Sequence, residues 1–499
     1  MTFEILQRVF TLEVFVLAVV GTLLGVIFAA IPGLNAAIAI TLFLPITYQM
    51  PPEWALAFLG GTYMGGMYGG SITAILINVP GCVEATCTAY DGYPLTLQGR
   101  SREALYYSVF SSTLGGIFGV LALILFTPPL ASVALRFGPP EMMLLGLCGL
   151  TIIGCLSGSN VWKAVFSTAL GLFLATIGTD MSSSVKRFTF GIRTLNAGLS
   201  PLVVALGFFC FAEMFRDIGM KKAASFTYTD TPIKRSAVIY DILVKNPLLF
   251  LRSSLLGLFI GILPGIGGGT AVFTSYGVAK RESKDPDSFG KGNTKGIIAA
   301  EAANNAVVGG ALIPMLAIGI PGSPTVAIIG AALTTHGIIC GPDLFTKRPD
   351  VAYIFMYAMI FTIVGMTIIG AYGIRWFSYI LKINMYYLIP AVTVCAMFGA
   401  YSINNRSSDV LVAVIAGIVA IVLVKFEFPL SPLIIGFVLS NLIEQNLRRT
   451  VQLANAKHTG FMSYIVQRPL SLFLLVLLVG LVVLFSFMNP NTKKKLQDE

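Results

Sequence analysis

Between Gly296 and Gly322 the chain reads GIIAAEAANNAVVGGALIPMLAIGIPG, apolar enough for lipid yet carrying Glu301, Asn304 and Asn305. In a bilayer core an unpaired polar side chain is costly, and backbone groups released by proline or glycine need new partners. A segment that accepts both burdens is expected to line a polar cavity rather than face lipid. A similar phrase stands earlier: Tyr68 to Gly81 reads YGGSITAILINVPG, again a glycine pair, an apolar run and Pro-Gly. Ahead of each stretch lies another Pro-Gly, in Ile31-Pro32-Gly33-Leu34 and in Leu263-Pro264-Gly265-Ile266. Gly69-Gly70 with Pro80-Gly81 is thus expected to answer Gly309-Gly310 with Pro321-Gly322. Paired, Pro/Gly-broken segments in two halves of a chain point to a transporter's midplane site.

Composition decides the solvent. Of 499 residues 56% are hydrophobic and 11% charged, and mean hydropathy is +0.83. Soluble domains carry about a quarter charged residues, so an all-α polytopic integral membrane protein follows. The net charge of +10 does not call for nucleic acid, because the basic residues sit in short loops such as Arg100/Arg102 and Lys280/Arg281. That is the cytoplasmic-loop bias of membrane proteins. Seven cysteines without a CxxC pair read as small core residues, not as disulfides or a metal site. There is no HExxH, GxSxG or Walker A motif, so neither catalysis, a bound cofactor nor ATP hydrolysis is expected. The run Val14–Ile31 exceeds a typical signal-peptide core and is read as a retained first membrane helix.

Taken in order, Leu12–Ile31 and Leu34–Ile46 meet at Pro32-Gly33, and the glycine-rich Ala55–Val79 follows. Asp91-Gly92-Tyr93-Pro94 reads as a turn with Asp91 as its former. Spans are expected near Leu105–Phe126, Leu130–Leu156, Val161–Ile177 and Leu199–Phe215. The hydrophilic stretch Arg216–Lys245 reads as a cytoplasmic linker. Residues 1–215 then form one repeat half, 216–246 the linker, and 247–499 the second half with C-terminal spans. The total comes to about 12 transmembrane helices of roughly 20 residues each, some broken or re-entrant. The copies run inverted or parallel according to whether each half has an odd or even number of spans; inverted is the commoner design for a midplane site.

A helix that begins after such a break turns unpaired N–H groups and a positive dipole end inward, which suits an anion. Helix ends that stop there offer carbonyls to a cation. The candidate substrate residues are Gly33, Asn35, Ser71, Asn78, Gly81, Gly265, Gly267, Gly322 and Ser323; the candidate cation residues are Asn304, Asn305 and Glu301. Two readings stand for the Asn pair, ligands of a site or interhelical glue. Ser71 has a bland alternative as well, a bond to its own i−4 carbonyl.

The phrases IPGLNAA, MYGGSITAILINVPG, LPGIGGG and EAANNAVVGGALIPMLAIGIPGSP, in this order, resemble the large membrane subunit of the bacterial tripartite tricarboxylate transporters. The FGKG loop at Phe289–Gly292 and the stretch His336–Pro342 extend the resemblance to essentially the whole chain. It implies a multi-pass subunit of the bacterial inner membrane, a small four-helix membrane subunit, and a periplasmic substrate-binding protein. It also implies uptake of a tricarboxylate or related carboxylate, driven by a Na⁺ or H⁺ gradient. Asn35 and Cys82-Val83-Glu84 depart from the glycine and the small or hydroxyl residues expected there. A rival reading is an uncoupled channel or a structural membrane scaffold.

Overall fold

A computed structural model describes residues 3–31, 34–156, 161–180, 183–212, 214, 233–264, 267–373, 376–377 and 385–488. The main helices are α1 (Leu12–Ala29), α2 (Ala36–Thr47), α3 (Pro52–Ile77), α4 (Thr86–Leu97), α5 (Ser101–Ala134), α6 (Pro139–Leu156) and α7 (Val161–Ala175). After the region of the expected linker come α8 (Pro247–Ile262), α9 (Gly267–Glu282), α10 (Thr294–Ile318), α11 (Pro324–Thr335) and α12 (Pro349–Tyr372). The chain continues through α13 (Met385–Asn404), α14 (Ser407–Lys425), α15 (Leu430–Ala456) and α16 (Pro469–Met488). Among the described residues, sheet structure is confined to Gly178–Thr179 paired antiparallel with Lys186–Arg187. The all-α polytopic class holds.

By length and composition, α1, α5, α10, α12, α14 and α15 can each cross a membrane. A seventh candidate is α8 together with the preceding Arg235–Lys245, bent by 82°. The apolar helices α2 and α11, of 12 residues each, are shorter and start just after the Pro-Gly breaks. Among the described residues, length and composition thus support six crossings, or seven with the bent pair.

At the centre lie α3 and α10. Every residue from Ala55 to Leu76 in α3 and from Gly296 to Ala317 in α10 is buried. Small residues make this possible by letting backbones touch. A methyl group on Gly61, Gly65 or Gly69 of α3 would collide with the backbone of Ala18, Thr22 or Val26 of α1.

The repeat is visible atom by atom. Asn78 (φ 56°) and Gly319 (φ 79°) end α3 and α10 in the left-handed conformation. Beyond them the Val79 N–H donates to Thr73 O at 3.3 Å and the Ile320 N–H to Pro314 O at 3.3 Å. Gly81 N–H then returns to Gly70 O at 3.1 Å, and Gly322 N–H to Ala311 O at 3.2 Å. Flanking contacts match too: Gly25 and Gly257 meet the carbonyls of Thr62 and Ala303, while Gly81 and Gly322 meet those of Ala29 and Gly261. Gly70 thus answers Ala311, so the expected match of Gly69-Gly70 to Gly309-Gly310 is one residue out of register.

Two further expectations change. Asp91-Gly92-Tyr93-Pro94 lies inside α4 and forms no turn. The Asp91 carboxylate is engaged by a distant loop and cannot compete with its own backbone. The expected boundary before Leu130 is also absent, since α5 runs through Pro128 and Pro129 to Ala134. Of the expected linker, residues 216–232 lie outside the described residues, and Arg235–Lys245 is helical.

Candidate functional site

A cavity of about 440 Å³ opens where four helical segments begin. Asn35, Ala36 and Ala37 bring the start of α2, and Cys82, Val83 and Glu84 bring the turn that leads into α4. Gly267, Gly268 and Gly269 bring the start of α9, and Ser323, Pro324 and Thr325 that of α11. One wall is α3, through Tyr63, Gly66 and Met67. Two starts are capped by side chains: Asn35 Oδ1 accepts from Ile38 N at 3.0 Å, and Ser323 Oγ from Val326 N at 3.2 Å. Ser323 Oγ also lies 3.5 Å from the Tyr63 hydroxyl, tying α11 to α3. Each helix start contributes N–H groups without an i−4 partner and a positive dipole end. Four such ends around one space favour an anion with separated negative groups. Glu84 is the only charged side chain among the described residues that line it.

A second polar cluster sits behind the α3 wall. Glu301 of α10 is fully buried and accepts hydrogen bonds from Thr88 Oγ1 at 2.6 Å and Ser112 Oγ at 2.6 Å. Ser71 and Asn304 also face its carboxylate. Asn304 Nδ2 donates to Met67 O at 2.9 Å, so the cluster touches the residue that forms part of the cavity wall. Asn305 is fully buried, and neither its Nδ2 nor its Oδ1 has a partner.

A family model described as the tripartite tricarboxylate transporter TctA family matches residues 15–435. The chain belongs to that family. It is also 35% identical over 489 residues to an Agrobacterium vitis protein named "Uncharacterized 52.8 kDa protein in TAR-I ttuC' 3'region", covering 95% of this chain and 93% of that one. A second Agrobacterium vitis protein, "Uncharacterized protein in TAR-II ttuC' 3'region", is 36% identical over 244 residues, 48% of this chain and 96% of its own. No solved structure matches. As a TctA-family member the chain is the large subunit of a tripartite tricarboxylate transporter and a multi-pass membrane protein.

In this TctA-family subunit the expected site residues divide into groups. Asn35, Gly267 and Ser323 line the cavity. Gly33 and Gly265 lie outside the described residues. Gly81 and Gly322 sit at the corners behind the lining, where backbone packs on backbone. Asn78 is an exposed helix end, and its left-handed backbone is what shapes the corner. Ser71 belongs with Glu301 instead of the cavity. Asn304 and Glu301 come together, while Asn305 has no hydrogen bond to either.

The sequence reading did not single out Tyr63, Met67, Glu84, Thr88 or Ser112 as site residues. One signal was available. Cys82 (φ −149°, ψ 164°) and Ser323 (φ −148°, ψ 163°) occupy equivalent positions after the two corners, so Cys82-Val83-Glu84 is the counterpart of Ser323-Pro324-Thr325. Thr88 and Ser112 carry no such mark, because they reach Glu301 from separate helices.

Proposed function

We propose that this subunit carries a tricarboxylate or related carboxylate across the bacterial inner membrane, powered by a Na⁺ or H⁺ gradient. Substrate arrives from a periplasmic binding protein, and a small four-helix membrane subunit completes the carrier. The observation that carries the reading is the convergence of four helix starts on one cavity. It supplies anion-binding backbone from both halves, residues 1–215 and 247–499. Asn35 and Ser323 hold two of those starts in place, and Gly267 brings a third backbone close to the ligand. Equivalent elements from two copies facing one space are the arrangement expected of an inverted repeat with a midplane site.

The mechanism follows from the packing. Carboxylate oxygens accept from first-turn N–H groups, whose dipoles are fixed before substrate arrives. Alternating access moves one bundle past the other around that site. The test is uptake into proteoliposomes that hold both membrane subunits, with the partner receptor and its ligand outside. Uptake should need the receptor and fall to background when all ion gradients are collapsed. Full-rate uptake without gradient or receptor would overturn the proposal.

A further inference from the structure

We propose that Glu301 is the core of a coupling-ion site that takes a bare monovalent cation, with Na⁺ as its ligand, separate from the substrate cavity. The inference rests on the coupled-transport reading and locates its ion.

Glu301 is fully buried, and among the described residues its hydrogen bonds come from the Thr88 and Ser112 hydroxyls, with no basic side chain in an ion pair to it. Each carboxylate oxygen accepts a hydrogen bond from a hydroxyl, that of Thr88 or Ser112, at 2.6 Å. A buried carboxyl group held that way can carry its negative charge only when a cation joins it, and is otherwise neutralised by a proton. Oxygen donors stand ready. Ser71 and Asn304 lie beside the carboxylate, both fully buried, and Ser71 Oγ and Asn304 Oδ1 have no hydrogen-bond partner. The Tyr68 hydroxyl is a further buried oxygen without a hydrogen-bond partner.

The ligand set selects the ion. Hydroxyl, amide and carboxylate oxygens suit a hard cation. One carboxylate balances a single positive charge. Among the described residues no group of three His, Cys, Asp or Glu side chains could hold a transition metal. The site is also wired to the cavity. Asn304 offers Oδ1 to the ion while its Nδ2 holds the Met67 carbonyl, and Met67 lines the substrate space. Filling the cluster therefore fixes the α3 wall, so ion and carboxylate should each tighten the other's binding by the same factor.

The test uses the full chain in detergent and reads binding of Na⁺ itself, by radiolabelled Na⁺ and by thermal unfolding in NaCl against choline chloride at equal ionic strength. Wild type should bind Na⁺ saturably and unfold at higher temperature with it. Glu301→Gln should lose at least 90% of the bound Na⁺ and the Na⁺-dependent shift, while its unfolding in choline stays cooperative. Ser112→Ala and Ser71→Ala, milder changes, should raise the half-saturating Na⁺ about tenfold and serve if the glutamine variant does not fold. A wild type that binds no Na⁺, or folded variants that all bind it with unchanged affinity, would overturn the site. Because Na⁺ binding is read without substrate, either result can be told apart from failure of carboxylate uptake.

Discussion

Tyr276 donates its hydroxyl to Asp91 Oδ2 at 2.8 Å, a bond that ties α9 to α4. The other oxygen of Asp91 accepts three backbone N–H groups, from Gly290 at 2.8 Å and Gly292 at 3.0 Å in the FGKG loop and from the following Asn293 at 2.8 Å. Gly290 (φ 86°) and Gly292 (φ 102°) take left-handed backbone so that these groups can point at one oxygen. The loop leads directly into α10, so a carboxylate of α4 anchors the segment from which α10 begins. Asp91→Ala would leave all of these donors without their acceptor. The expected cost is about 3 kcal/mol or more, seen as a lower unfolding temperature in detergent and less protein in the membrane. Asp91→Asn keeps an acceptor for the loop and should fall between. An alanine variant as stable as wild type would show that the clamp is dispensable.

Gly322 and Gly267 separate two uses of glycine. A methyl group at Gly322 would strike the Gly261 carbonyl and Ala311, with no ligand involved. Gly322→Ala should therefore lower the amount of folded carrier, and uptake per folded molecule should stay near wild type. Gly267 has φ +74° at the cavity, with nothing within 4 Å of an added methyl. Gly267→Ala pays only the left-handed strain, about 1 kcal/mol, and its effect should appear in the substrate concentration for half-maximal uptake. Quantifying membrane protein alongside initial rates distinguishes the two. Equal loss of folded protein in both variants would contradict the division.

Glu84 places a negative charge in a cavity otherwise suited to anions. Glu84→Gln removes that like charge, and the affinity for a multiply charged carboxylate should rise on the order of tenfold, an effect of about 1.4 kcal/mol. Competition of a dicarboxylate and a tricarboxylate for uptake checks this. The glutamine variant should shift preference toward the more highly charged competitor. An unchanged ratio would mean that Glu84 does not face the bound carboxylates.

The corners were legible because their chemistry is local. Pro80-Gly81 and Pro321-Gly322 each combine a missing donor with a flexible backbone, and the helix starts that follow them carry unpaired N–H groups. The register of the glycine pairs was less legible. Gly309-Gly310 looks like Gly69-Gly70 on paper, yet the bond that matters counts back from the corner to Gly70 and Ala311. Pro128-Pro129 misled for a related reason: within a membrane a helix is the one continuous way to satisfy the backbone, and it persists through prolines. Glu301 could be named from sequence, but Thr88 and Ser112 could not. Their role depends on which helices α10 packs against, and that pairing is tertiary.

Asn305 decides between ligand and glue. Glue requires an interhelical hydrogen bond, and both polar atoms of this amide are buried without a partner. Its neighbour differs, since Asn304 does bond Met67. Leaving an amide unpaired in the interior costs roughly 1–3 kcal/mol. Asn305→Leu, with the same branching and number of side-chain heavy atoms, should therefore leave thermal stability unchanged or raise it if packing were the whole account. If the amide meets ion or substrate during transport, the same change removes a ligand where no water can substitute. The half-maximal ion or substrate concentration should then rise tenfold or more, at least about 1.4 kcal/mol. The expected result is a stable Asn305→Leu carrier with that rise, and Asn304→Leu should be less stable because it also releases the Met67 carbonyl. Unchanged half-maximal concentrations in a folded Asn305→Leu carrier would assign Asn305 to packing alone.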